Sequence, residues 1–222
     1  MNKKLAIVHT TPLTVEPLKA LAKDYIPDYQ IVNFVDDSIL PQLNENGGNT
    51  EEVEERLIQY MRYAEQAGAD VILNACSSVG EVAAKAREQI NTPVVRIDEP
   101  MAELAIEKGE KIGVAATLAT TLNPTIALLR SKSYELNKQV EFQSRIAGEA
   151  YQCLLAGDKD GHDEKLKAVL SDLASESDVV VLAQASMARV VTSLPEEMQD
   201  KFLSSPALGM QRVKETIEGA KS

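Results

Sequence analysis

The chain is poor in the residues that most readily mark a metal, redox or nucleic-acid function. Its 222 residues include two cysteines and two histidines. No C-x-x-C pair or His/Cys cluster occurs, so neither a disulfide framework nor a metal site is expected, and both thiols read as free in a reducing compartment. Basic residues are outnumbered, 23 against 34 acidic ones, for a formal charge of −11. With no basic stripe, the phosphate neutralisation that nucleic-acid binding needs is missing, which argues against such a partner. No apolar run approaches the ~20 residues that span a bilayer, and the opening MNKKLAIVHTT suits a first strand better than a signal peptide. No membrane partner and a cytoplasmic location are therefore the default expectations. Gly47 and Gly48 are not followed by the GxxG or GK[ST] of dinucleotide and phosphate loops, and GDKDG (157–161) lacks the D-x-[DN]-x-[DN]-G of a calcium loop.

What is present is an ordinary globular composition, 44% apolar and 26% charged, in a chain long enough to bury one large core or two small ones. Strand-length apolar runs recur at 5–9, 29–35, 71–75, 93–97, 111–116, 140–146 and 179–183. Helical patterns lie at 12–25, 50–68, 79–90, 100–109, 123–136, 163–177 and 208–221. Strand alternating with helix predicts an α/β fold with mainly parallel sheets. In 50–68, Val53, Leu57, Tyr60, Met61 and Ala64 share a face, Thr50 is placed to cap the start and Gly68 to end the helix. Residues 36–49, DDSILPQLNENGGN, show no period and read as a long loop with the makings of a lid.

Two stretches repeat. DVILNACSSV (70–79) and DVVVLAQASM (178–187) each open with Asp, run through apolar residues and end in small polar ones. KLAIVHTT starts 66 residues before Asp70, and KIGVAATLA starts 67 residues before Asp178, so a duplicated unit has kept its register. On that register Thr10 corresponds to Thr117, His9 to Ala116 and Cys76 to Gln184. Ligands of open parallel sheets bind at the carboxyl ends of the strands, so function is expected at 9–11, 74–79, 117–121 and 184–187, in a cleft between two lobes. Ser77, Ser78, Thr117, Thr120, Thr121 and Ser186 fall where helix starts favour an anion, although the same residues are also good helix caps.

These residues resemble the aspartate/glutamate/hydantoin racemase superfamily. NACSS (74–78), VRIDEPM (95–101), IGVAATLATTL (112–122), LLAGD (154–158) and VVVLAQASM (179–187) carry the likeness over nearly the whole chain. The resemblance implies two pseudo-symmetric α/β lobes, the first of residues 1–98 with a returning C-terminal helix (207–222), the second of 99–206. It also implies catalysis without a cofactor, a small carboxylate as substrate, pairing as a homodimer, and a cysteine from each lobe beside the substrate's α-carbon.

The first such cysteine falls at Cys76, whose thiol a helix N-terminus would lower from its ordinary ~8.5 toward neutrality. The second position holds Gln184, which cannot titrate but can donate hydrogen bonds to a carboxylate or enolate oxygen. His9 is the nearest replacement for the missing proton carrier, with Asp98 and Glu99 next. The expected substrate-binding set is Thr10, Asn74, Ser77, Ser78, Thr117, Thr121, Gln184 and Ser186. Cys153 reads as core and His162 as a solvated helix-start residue. The leading reading is a racemase or isomerase-like enzyme using thiol acid/base transfer. The alternatives are a lyase such as a decarboxylase, which needs only one proton donor and which some single-cysteine relatives are, and a carboxylate-binding protein without turnover.

Overall fold

The computed structural model describes residues 3–220. The outermost residues of the expected first lobe, 1–2 and 221–222, lie outside the described residues. The chain divides into two compact units: one runs to Asp98 and resumes at Pro206, and the other is Glu99–Ser205. The elements of the first unit are β1 (Lys4–His9), α1 (Val15–Tyr25), β2 (Gln30–Val35), α2 (Ile39–Glu45), α3 (Glu51–Gln66), β3 (Val71–Asn74), α4 (Gly80–Ala86) and β4 (Val94–Arg96). Those of the second are α5 (Glu99–Lys108), β5 (Lys111–Ala116), α6 (Ala119–Glu135), β6 (Glu141–Ile146), α7 (Gly148–Leu155), α8 (Lys159–Glu176), β7 (Val179–Leu182), α9 (Ala188–Val191), α10 (Glu196–Gln199) and β8 (Phe202–Ser204). A last helix, α11 (Ser205–Gly219), lays Met210, Val213 and Ile217 on the first unit's core.

The α/β class is as expected: each unit has a four-stranded sheet, ordered β2-β1-β3-β4 and β6-β5-β7-β8, with every pairing parallel. Strand β1 shows why these runs are continuously apolar. Leu5 and Ile7 face the cluster holding Leu18, Met210 and Val213, while Ala6 and Val8 face the one holding Leu43, Leu57 and Ile58. A parallel strand covered on both faces buries both sets of its alternating side chains, and each fully buried Leu or Ile contributes roughly 1.5–3 kcal/mol.

The aspartates that open the two repeated stretches have a backbone task. Asp70 accepts from the Lys4 N–H at 2.7 Å, and Asp178 from the N–H groups of Lys111 at 2.8 Å and Glu110 at 3.0 Å. Each carboxylate fastens the start of its unit's first strand, and the two amides lower the pKa of Asp178.

Helix α3 buries Val53, Leu57, Ile58, Met61 and Ala64. It stops because Gly68 takes φ +77°, with Ala69 N–H reaching the Ala64 carbonyl at 3.1 Å and Gly68 N–H the Glu65 carbonyl at 2.9 Å, a left-handed termination that glycine makes without strain. Thr50 makes no side-chain cap bond there; its hydroxyl bonds Glu81 instead.

The loop and lid expected at 36–49 is overturned. Its middle is α2, whose Ile39 and Leu43 are buried in the core beside α3. The stripe is one turn long, too short to register as a period, and Pro41 sits in the first turn, where a missing N–H costs nothing. Two further expectations fail on burial. His162 is buried and bonds Asp163 at 2.7 Å rather than facing solvent, and Cys153 is only half-buried on α7, outside the core. Among the described residues no helix is long and apolar enough to cross a membrane, and no group of three or more His, Cys, Asp or Glu is arranged to hold a metal ion.

Candidate functional site

The carboxyl ends of β1, β3 and β4 bring together Thr10, Asn74, Cys76, Ser77, Ser78, Arg96 and Asp98 within the first unit. Strand β3 ends at Asn74, and the chain turns through a short 3-10 segment, Ser77–Val79, into α4. Asn74 is fully buried, and its amide holds the Cys76 carbonyl at 3.1 Å. The side-chain oxygen of Asn74 is buried with no partner among the described residues.

The half-buried Cys76 thiol is met by the Thr10 hydroxyl, the backbone N–H groups of Ser78 and Val79, and the Ser78 hydroxyl. Burial pushes the thiol above its ordinary range, and those four donors pull the other way without overcoming it. The downward shift expected from a helix N-terminus is therefore reversed: desolvation of the charged form outweighs donation to it.

His9 is fully buried at the end of β1, with Nδ1 2.7 Å from the Thr14 hydroxyl and Nε2 2.9 Å from the Asn33 side-chain oxygen. Burial lowers its pKa, and the Asn33 bond only partly opposes that. Both ring nitrogens are occupied, so His9 anchors β1 to β2 and to the turn that leads into α1, and it has no free nitrogen for substrate. Asp98 is fully buried and gripped by Arg96, Nε to Oδ1 at 2.6 Å and Nη2 to Oδ2 at 3.1 Å. Glu99 is paired with Lys132 at 2.8 Å. Neither carboxylate is placed as a free proton carrier.

In the second unit Gln184 stands after β7 as Cys76 stands after β3. Its side-chain oxygen accepts from the Thr117 N–H at 2.7 Å and the Thr117 hydroxyl at 2.9 Å. The repeat is thus chemical as well as topological: the threonine that follows the unit's first strand donates to sulfur in one copy and to an amide oxygen in the other. With Oε1 so engaged, the amide N–H groups of Gln184 are the ones left to donate. The residue before α6 is Leu118, with no side-chain cap, so Thr117 serves Gln184 rather than the helix. Thr121 is buried one turn into α6, and Ser186 is exposed in the turn Ala185–Met187.

Sequence reasoning passed over Arg96 and Gly80. The signal was present in VRID: an arginine inside a buried strand with an aspartate two residues on, both on one face of the strand, is the pattern of a paired buried charge.

A family described as Asp/Glu/Hydantoin racemase matches residues 7–213. A glutamate racemase from a Picosynechococcus strain is 32% identical over 108 residues, which is 46% of this chain and 36% of that protein; the chain thus matches little more than a third of that relative's length. Among solved structures, a glutamate racemase from Bacillus anthracis is similar with a TM-score of 0.76 at 17% identity, covering 98% of this chain and 82% of that one. A glutamate racemase from Francisella tularensis, solved with D-glutamate, has a TM-score of 0.74 at 16% identity, covering 99% and 82%. At such identities these structures speak for the fold alone.

Proposed function

Since the chain belongs to the Asp/Glu/hydantoin racemase family, we propose that it moves a proton at the α-carbon of a small carboxylic acid or amino-acid derivative, with Cys76 as acid/base and no cofactor. The carrying observation is the Cys76 thiol itself, ringed by Thr10, Ser78 and the Ser78 and Val79 amides, at the position to which the resemblance assigns the family's first catalytic cysteine. Thr10, Asn74, Ser77 and Ser78 are the proposed substrate contacts in the first unit, and Thr117, Thr121, Gln184 and Ser186 in the second. Asn74 offers a buried oxygen, without a partner among the described residues, to a substrate N–H or O–H, and Gln184 offers N–H groups to a carboxylate or enolate oxygen. His9 is left out of the machinery because both its nitrogens are taken. Pairing of two copies and a cytoplasmic setting complete the proposal.

A second reading, a lyase that protonates a carbanion after losing CO2, is favoured by one feature: burial raises the pKa of the Cys76 thiol, which suits a proton donor better than a base. Turnover of a panel of small acids in deuterium oxide, glutamate and aspartate among them, separates the two. Proton transfer on an intact substrate puts deuterium at the α-carbon of recovered substrate, whereas a lyase labels only a shortened product. Cys76→Ser is expected to cut either reaction by about 100-fold or more, the usual worth of a placed acid or base; a fully active variant ends the thiol proposal. An acid that raises the melting temperature yet is neither exchanged nor cleaved supports binding without turnover instead.

A further inference from the structure

Resting on the reading of Cys76 as the proton-carrying thiol, we propose that Arg96 is a positioning residue for it, acting through the turn whose amides hold the sulfur. Arg96 ends β4 directly opposite Asn74, and its guanidinium is fixed in plane by the two bonds to Asp98. That plane lies against the bare α-carbon of Gly80. A Cβ built there would come within 2.2 Å of Nε and 2.3 Å of Cζ, so only glycine lets the guanidinium occupy this place. The two residues before Gly80 are Ser78 and Val79, whose N–H groups reach the Cys76 sulfur. The guanidinium therefore closes over the end of the turn and fixes where those amides point. Asp98 is the charged group paired with Arg96; the groups meeting the sulfur, Thr10, Ser78 and two amides, carry no charge.

The internal repeat supplies a control. The register that places Gln184 at Cys76 pairs Val95 with Leu73 and Leu203 with Val181, so Ala188 stands at Gly80, Ser204 at Arg96 and Pro206 at Asp98. The copy without a thiol has a methyl group where the first copy has room for a guanidinium, and has neither the cation nor its carboxylate. Devices the fold itself needs occur in both copies, as Asp70 and Asp178 do. The Arg96–Asp98–Gly80 set occurs only beside the cysteine.

The test is the pH profile of Cys76 alkylation by iodoacetamide in the full-length protein, read by mass on the Cys76 peptide. It requires no turnover, so its result stands apart from whether any acid is a substrate. Arg96→Ser frees the turn, and the profile is expected to move up by about one pH unit, making reaction at neutral pH about tenfold slower. Gly80→Ala displaces the guanidinium and shifts it the same way. The double variant Gly80→Ala/Arg96→Ser places the second copy's residues at both positions, and it should keep the displaced profile. A folded double variant with the wild-type profile overturns the proposal. Should that variant not fold, Arg96→Lys decides: it keeps the charge but not the planar fork, so an upward shift upholds the proposal and an unchanged profile overturns it.

Discussion

Cys76 and Gln184 differ by one property that matters: the first can release a proton and the second cannot, although a threonine donates to each. Around them, burial settles which other groups titrate usefully. His9 illustrates this in a measurable way. Its folded pKa lies below the ordinary 6.5 because burial disfavours the imidazolium. As pH falls through 6.5 the unfolded chain takes up a proton that the folded chain refuses, so stability is full above that value and declines as pH drops toward the depressed folded pKa. The slope of unfolding free energy should approach ~1.36 kcal/mol per pH unit, the value for one proton. In His9→Gln that part of the slope should vanish, while alkylation of Cys76 keeps its pH profile. Urea unfolding across mildly acidic pH checks this; an unchanged slope in the variant would mean that some other group takes up the proton.

At the scale of elements, the sequence was legible wherever a pattern was long. Strands with both faces covered appear as unbroken apolar runs, and α3 shows its stripe and its terminating Gly68. Short elements escaped because their evidence is spatial. Helix α2 has one turn of stripe, and β8, Phe202–Ser204, is too brief to stand out from its surroundings. The start of α6 was misjudged because Pro124 looks like an opening residue, yet the helix already begins at Ala119. Ion pairs between helices are invisible in a linear pattern as well. Lys132 on α6 lies 2.8 Å from Glu99 and 3.2 Å from Glu103, both on α5, and 2.9 Å from Glu135. Burial alone would lower the lysine's pKa, but the three carboxylates more than reverse that. Lys132→Met would keep the packing of the stem and remove the ammonium that Glu99, Glu103 and Glu135 share. The expected loss is about 2 kcal/mol, less than the ~3–5 of a fully buried pair because all three glutamates keep some contact with water. Chemical denaturation reads it directly, and a loss near zero would mean that the cluster is screened like a surface pair.

Over the whole molecule the duplication explains both what the sequence displayed and what it hid. It displayed the register, since in both copies the stretch that carries Cys76 or Gln184 opens on an aspartate that fastens the first strand. The roles at the carboxyl ends stayed hidden, since a threonine that donates to a neighbouring side chain has the same letter as one that caps a helix. Because the threonine and the turn that follows the strand are repeated at the two positions, although the Arg96–Asp98–Gly80 set is not, the second copy should accept the thiol it lacks. Thr117 already directs a hydroxyl and an N–H at the side chain of residue 184, and Ser186 and Met187 stand where Ser78 and Val79 supply amides to Cys76. Gln184→Cys, made in a Cys76→Ser/Cys153→Ser background, should therefore yield one thiol whose alkylation profile lies within about one pH unit of that of Cys76. Adding Thr117→Val should move it upward as a donor to the thiolate is lost. A thiol at 184 that reacts like a free cysteine and ignores Thr117 would show that the copies share a fold without sharing the means of holding sulfur. A matching response would mean that one substitution gives the second copy a thiol held as the first copy holds Cys76.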